Sequence, residues 1–396
     1  MNILIATDTY YPNVNGAAYF TYRLAQLLAR RGHHISVIAP SQTLRGTISL
    51  RDGVTEYGTP SIPIPIYPNF RISPMILCGK SVMRIVREVH PDVVHLQNHF
   101  MIGKATLMAA HELNIATIGT NHFMPENLVH YLHLPKVGEE QLNKFAWRKF
   151  IHVYGELDIV TTPTKTAAKM LHHVGLQKDV IPISCGIDLK RFNPQNDGAY
   201  LKKRYALPDR DTLLYVGRLD KEKHIEVILN AIPRILQKLD VQLVLAGVGK
   251  LRSSLERHAE KLNIRNNVTF TGFVPDEDLP NLYRIAALFV IASTAELQSI
   301  VTMEAMASSL PVVAVNATAL PELVHSGENG YLFESGKSRD LAERVIMILG
   351  DKSLRNKMAE RSLELIQAHD IEKVVACFET LYFKLQKGYE KNSSKT

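Results

Sequence analysis

Short apolar runs alternate along the chain with longer segments in which apolar residues recur every third or fourth position. NILIAT is such a run. After a turn, AAYFTYRLAQLLARRG places Leu24, Leu27 and Leu28 on one helix face, with Gly32 as its C-cap. HHISVIAP, PDVVHLQ, IATIGTNH and LDIVTTPT read as further strands separated by helical segments. Short apolar strands joined by crossover helices predict a parallel sheet covered on both faces. The pattern restarts after IPISCGIDLKRFNP, where TLLYVGRLD, VQLVLAGVG, NVTFTGFV, LFVIAST and LPVVAV are the strands. The expectation is an α/β chain of two Rossmann-like, doubly wound domains, residues 1–188 and 189–373, linked near 185–200 and facing a cleft. The tail KVVACFETLYFKLQKGYEK is amphipathic and predicts a helix over about 374–392 that packs back on the first domain, with the final NSSKT frayed. In such sheets ligands bind beyond the carboxyl ends of the strands.

At 396 residues the chain is too long for one core, in keeping with two domains. Hydrophobic and charged contents of 46% and 21% are ordinary for a soluble globular protein. No stretch approaches the ~20 apolar residues that span a bilayer. The opening MNILIATDTYYP lacks the basic leader and apolar core of a signal peptide and reads as a first strand. Cys78, Cys185 and Cys377 have no metal-ligand spacing, which suits a reducing cytoplasm and argues against a disulfide framework. The net charge of +7 is uneven. Residues 1–190 carry 18 Lys and Arg against 13 Asp and Glu, the remainder 28 against 26, and the first group also holds 12 of the 16 histidines. A basic first half suits an anionic ligand or an anionic lipid surface, and equally a solubilising surface.

The densest candidate chemistry lies in AELQSIVTMEAMASSLPVVA. A helix starting near Gln298 or Ser299, just beyond the strand LFVIAST, presents unpaired amides and the positive end of its dipole to an anion such as phosphate. Glu296 stands just outside that helix start and Glu304 farther along it, each able to accept from hydroxyls. A nucleotide sugar presents that pattern of sugar hydroxyls, diphosphate and ribose hydroxyls. The alternative is that Glu296 complements the dipole and Glu304 is a solvated helix residue. In YVGRLDKEKH, Arg218 and Lys223 follow the first strand of the second half, where two cations would clamp a diphosphate; surface cations in a loop are the other reading. In DTYYPNVNGAA, Gly16 allows close backbone approach to a phosphate, or is a plain loop glycine. LAGVGKLRSSLE is a lone Gly-x-Gly without the third glycine of a dinucleotide fingerprint. His95, His99 and His122 end strands but lack ligand spacing for zinc; His122 ends a central strand facing the expected cleft. Residues 130–155 hold the only tryptophan, Trp147, with Phe145, Phe150, Lys144, Arg148 and Lys149, and read as a membrane-interface helix or as an interdomain helix with ordinary packing. SIPIPIYPNF at 61–70 is a second apolar surface candidate.

Taken together these motifs resemble the retaining GT-B glycosyltransferases, whose hallmark is Glu-x7-Glu. The resemblance runs nearly end to end through DTYYPNVNGAAYFTYRLAQLLARRGHHISVIAPS, PDVVHLQNHF, GIDLKRFNP, LLYVGRLDKEKHIEVIL, VTFTGFVPDEDLPNLYRIAALFVIAS, MEAMASSLPVVAV and SGENGYLF. It is closest to the branch of nucleotide-sugar:diacylglycerol glycosyltransferases and phosphatidylinositol mannosyltransferases. The resemblance implies that Glu296 lies by the donor sugar, Glu304 holds the ribose, and Arg218 and Lys223 hold the diphosphate. It further implies that amides from Leu297, Gln298, Ser299 and Ile300 hold sugar and phosphates, that the chain at Val274 meets the base, that Gly16 approaches the phosphates and that His122 sits near the reacting carbon. It implies no bound metal and no cofactor. The chain departs from the pattern at Leu297 and Ser309, both common glycine positions, at His224, where Gly or Asn is common, and at Val248, where Asp is frequent.

The expected function is transfer of a hexose, with retention, from a UDP- or GDP-linked sugar such as UDP-glucose to an acceptor hydroxyl. A membrane lipid such as diacylglycerol or a glycolipid is the first expected acceptor, with Lys144, Trp147, Arg148 and Lys149 as the acceptor or membrane surface. The expected setting is the cytoplasm or the inner face of an anionic membrane, with no nucleic-acid partner. The alternatives are a soluble or polymeric glycan acceptor, a sugar-nucleotide epimerase, and a non-catalytic nucleotide-sugar binding protein.

Overall fold

The computed structural model describes residues 1–13, 15–64, 70–125 and 136–393. The chain divides into one unit of Met1–Cys185 with Glu372–Thr396 and a second of Gly186–Ile371. In the first, the elements run β1 (Asn2–Ala6), α1 (Gly16–Arg30), β2 (His34–Pro40), β3 (Thr47–Arg51), β4 (Val54–Thr59), β5 (Ile62–Pro63), β6 (Arg71–Ile72), α2 (Met75–Val89), β7 (Val93–Leu96), α3 (Met101–Glu112), β8 (Ala116–Thr120), α4 (Lys136–Tyr154), β9 (Ile159–Thr162), α5 (Lys165–His173) and β10 (Val180–Pro182). Eight strands form one sheet in the order β10-β9-β8-β7-β1-β2-β4-β3, and β5 pairs with β6 alone. Strands β7 and β8 are buried at every position, as a sheet covered on both faces requires. Gly32 takes φ 88° just past the C-cap of α1, as its sequence position predicts.

The first sheet is not wholly parallel, as the strand pattern alone predicts. β3 and β4 form an antiparallel hairpin at its edge, closed by Asp52 and Gly53 with φ of 50° and 80°. An Asp-Gly pair is the natural source of two positive φ values in a tight hairpin. A second correction concerns α4. Trp147, expected on a surface with Lys144, Arg148 and Lys149, is 7% exposed and packs edge-on to Phe123 and Phe150. Trp147, Phe150, Val153 and Tyr154 share the inward face, while Lys144, Phe145, Arg148 and Lys149 are exposed. Residues 130–135 of that expected surface and 65–69 of SIPIPIYPNF lie outside the described residues.

The second unit runs α6 (Ala199–Arg204), β11 (Asp211–Val216), α7 (Ile225–Leu236), β12 (Val241–Ala246), α8 (Arg252–Lys261), β13 (Val268–Gly272), α9 (Leu279–Tyr283), β14 (Leu288–Ile291), α10 (Ile300–Ala307), β15 (Val312–Val315), β16 (Gly330–Phe333), α11 (Ser338–Leu349) and α12 (Lys352–Ile366). Its six strands are all parallel, in the order β13-β12-β11-β14-β15-β16. The last helix, α13 (Ile371–Ser393), returns to the first unit. There Phe378 and Tyr382 are fully buried, Tyr382 meets His95 at 2.7 Å, and Glu372 and Glu379 pair with Arg31 at 2.6 Å each. Where the chain enters and leaves the second unit its two strands are joined, Ile187 N–H donating to His369 C=O at 2.8 Å and Ile371 N–H to Ile187 C=O at 3.0 Å.

Candidate active site

In the second unit β11 leads to β12 and β13 on one side, and β14 returns to its other side, so the strand order reverses between β11 and β14. The crevice beyond the carboxyl ends of two such strands is where open α/β sheets hold ligands. After β11 the chain turns at Gly217 and passes Arg218 and Asp220 into a 3-10 turn at Lys221–Lys223. After β14 a loop leads to α10, whose N-cap Ser299 accepts from the Thr302 N–H at 3.4 Å. Helix geometry leaves the first-turn amides of α10 outside its own ladder, pointing back at this crevice.

The two loops meet through their charges. Lys223 Nζ donates to Glu296 Oε1 at 2.6 Å, with the two side chains only 16% and 13% exposed. Arg218 donates to Asp220 at 2.6 Å and to Glu222 at 2.5 Å. Two cations and three carboxylates therefore gather at one helix start. Their pairing lowers the cost of partial burial. A third loop supports Glu296. Its N–H donates to Thr318 Oγ1 at 3.3 Å and its C=O accepts from Ala319 N–H at 3.3 Å, with Thr318 at φ 46°.

Glu304 lies along α10, 3% exposed, and accepts the Tyr283 hydroxyl at 2.7 Å, so the solvated-helix alternative fails for it. Burial and then this carboxylate push the Tyr283 phenol far up, so it stays a donor. Val274, just past β13, is buried, as are Gln298 and Ser299, whereas Leu297 and Ile300 are half-buried. The lone Gly-x-Gly has a packing role. A Cβ on Gly247 would lie 1.9 Å from the Gly217 carbonyl oxygen, and one on Gly249 2.4 Å from that of Leu219. These glycines let the β12 loop press against the loop that carries Arg218.

The first unit has its own reversal point, between β1 and β7. Its helix start is already filled from within. The Asp8 carboxylate, 3% exposed, accepts from the N–H groups of Ile102 at 3.0 Å and Gly103 at 3.3 Å, in the first turn of α3. Burial raises the Asp8 pKa to about 6 against the pull of these amides. Gly16 opens α1, whose N-cap Asn15 accepts from Ala18 N–H at 2.9 Å. His122, beyond β8, is reached through a buried chain: Tyr382 to His95 Nδ1 at 2.7 Å, His95 Nε2 to Gln97 at 3.1 Å, and Gln97 Oε1 to His122 Nε2 at 3.0 Å. An amide oxygen only accepts, so this assignment puts the proton on His122 Nε2 and leaves Nδ1 with a lone pair. Burial lowers the His122 pKa to about 4 and keeps the ring neutral. The structure thus brings Arg218, Lys223, Glu296 and the α10 start together in one unit, and places Gly16 and His122 in the other. Asp220, Glu222, Tyr283 and Thr318 are site neighbours that the sequence reading did not single out, and Glu222, next to Lys223, had the strongest local signal.

Two family models match the chain: Glycosyltransferase Family 4 over residues 14–191 and Glycosyl transferases group 1 over residues 200–364. The chain is 29% identical over 378 residues to alpha-monoglucosyldiacylglycerol synthase of Streptococcus pneumoniae, covering 92% of this chain and 83% of that protein. It is 25% identical to N-acetyl-alpha-D-glucosaminyl L-malate synthase of Bacillus anthracis, over 95% of each. Among solved structures, sucrose-phosphate synthase from Thermosynechococcus elongatus matches with a TM-score of 0.82 over 97% of this chain and 99% of that one; at 22% identity the likeness is one of fold. With the two α/β units, these matches make the chain a member of the group 1 glycosyltransferases, a hexosyltransferase of the GT-B fold.

Proposed function

We propose that the chain transfers a hexose, with retention, from a UDP- or GDP-linked sugar to the hydroxyl of a membrane lipid such as diacylglycerol or a glycolipid. The observation that carries the donor half is the Lys223–Glu296 pair at the α10 start, set beside Arg218. The corresponding helix start of the first unit is occupied by Asp8, which favours the second unit for the diphosphate and the first for the acceptor. An arriving diphosphate takes over Lys223 and Arg218 from their carboxylates, freeing Glu296 for the sugar hydroxyls. Glu304 is assigned to the ribose, Val274 to the base, and the amides of Leu297 to Ile300 to sugar and phosphates. Gly16 and His122 keep the roles that the resemblance gives them. The cations and the helix start stabilise the departing diphosphate, whose oxygen helps deprotonate the acceptor on the same face. Lys223→Ala and Glu296→Ala should each lower turnover at least about 100-fold with the fold intact; near-normal activity in either removes the site assignment. Inverted product stereochemistry would reject the mechanism.

The lipid acceptor is supported by the diacylglycerol in the name of the pneumococcal relative and by α2. That helix exposes Ile76 (89%) and Leu77 beside Lys80, Arg84 and Arg87, the last three lining a surface recess of about 450 Å³. Among the described residues no helix is long and apolar enough to cross a membrane. The contact proposed is peripheral, at the cytoplasmic face, with Lys144, Arg148 and Lys149 as further cations. Sedimentation with anionic vesicles at low salt tests it; no binding would favour the second reading, a soluble acceptor, which the L-malate in the name of the Bacillus relative supports.

A further inference from the structure

His224 follows Lys223 directly and sits at φ 48°, ψ 42°, the left-handed region, as the residue from which α7 starts. A side chain with a Cβ is disfavoured there relative to glycine. Its ring spans two loops: Nδ1 lies 3.2 Å from Glu226 Oε1 on α7, and Nε2 lies 3.2 Å from Thr294 Oγ1, two residues before Glu296. We propose that His224 is a positioning residue for the glycosyl donor, clipping the loop after β11 to the loop after β14 so that Lys223 and Glu296 are held at their working separation.

The inference rests on the donor-site reading above. As an imidazolium the ring donates from both nitrogens. The hydrogen bond to Glu226 raises its pKa from the ordinary imidazole value, Glu222 adds to that, and burial and Lys221 oppose it; His258 on α8 acts electrostatically on Glu226, and Thr294 carries no charge. The charge on the clip is therefore present at low pH and is lost as pH rises through the raised pKa, which leaves a weaker neutral clip in which Nδ1 donates to Glu226 and Nε2 accepts from the Thr294 hydroxyl.

The test compares His224→Gly, Thr294→Val and Lys223→Ala with the wild type in donor and acceptor kinetics, melting temperature and pH profile. His224→Gly and Thr294→Val should each lower donor kcat/KM about tenfold with acceptor KM unchanged. His224→Gly should melt no lower than wild type, because glycine accepts the backbone conformation. Each of these two variants should also flatten the decline in donor kcat/KM expected of wild type as pH rises through the raised His224 pKa, because each removes the His224–Thr294 link between the loops. Donor kcat/KM unchanged in both variants, with Lys223→Ala inactive, overturns the clip alone. Wild-type behaviour of Lys223→Ala overturns the donor-site reading instead. Should His224→Gly fail to fold, a wild-type value for Thr294→Val refutes the proposal and a tenfold loss sustains it.

Discussion

Ser309 takes φ 61° just past the C-cap of α10, with its own N–H on Met306 C=O and that of Leu310 on Ala305 C=O, the two bonds of a Schellman end. Glycine is the residue this seat favours. Ser309→Gly should raise stability by about 0.5–1 kcal/mol in urea denaturation, relief of the left-handed strain outweighing the added freedom of the unfolded chain. Tyr283→Phe removes the donor to buried Glu304 and should cost about 1–3 kcal/mol, with a raised donor KM as its kinetic mark. Buried titrating groups give a pH prediction for the first unit. Burial lowers His95 to about 3 and His99 and His122 to about 4, and raises Asp8 to about 6. Between pH 4 and 6 the unfolded chain binds more protons at the three histidines and fewer at Asp8. These four groups alone therefore make stability fall by about 2–3 kcal/mol per unit as pH drops through that window. Fluorescence of Trp147, the chain's single tryptophan, reads that unit directly. Arg218, Lys223, Glu296 and Glu304 were legible because each follows a recognisable strand or helix start. Their partners were not: Tyr283 is 21 positions from Glu304 and Thr318 22 from Glu296, separations that only the folded sheet closes.

Strands β1, β2, β7–β9 and β11–β15 could be read from apolar runs because buried parallel strands tolerate little else, whereas the short, partly exposed edge strands β10 and β16 carry no such run and were not read. The β3–β4 hairpin escaped that reading although Ile48 and Leu50 alternate with polar residues in β3, because that strand is short and exposed throughout; the Asp52-Gly53 turn was the clearer signal. Helix α4 misled in a different way. Clustered Lys, Arg and aromatic residues suggest one amphipathic surface, yet helical spacing sends Trp147 and Phe150 inward and Lys144, Arg148 and Lys149 outward. Trp147→Ala should cost about 3–5 kcal/mol, followed by circular dichroism, while Lys149→Ala should stay within about 0.5 kcal/mol of wild type.

At the scale of the whole molecule, sequence order and structural membership part company. Helix α13 belongs to the first unit, where it supplies Phe378 and Tyr382 to the interior and the hydroxyl that meets His95. A chain ending at Asp370 should leave the first unit without a cooperative transition by Trp147 fluorescence, because an apolar face and a buried imidazole lose their cover. The same arrangement sets a timetable for synthesis. A ribosome releases Gly186–Ile371 in full before α13 emerges, so the later-coded unit can mature while the earlier one still waits for its final piece. Nascent chains arrested before α13 should therefore be cut by protease within residues 1–185 while the following segment resists.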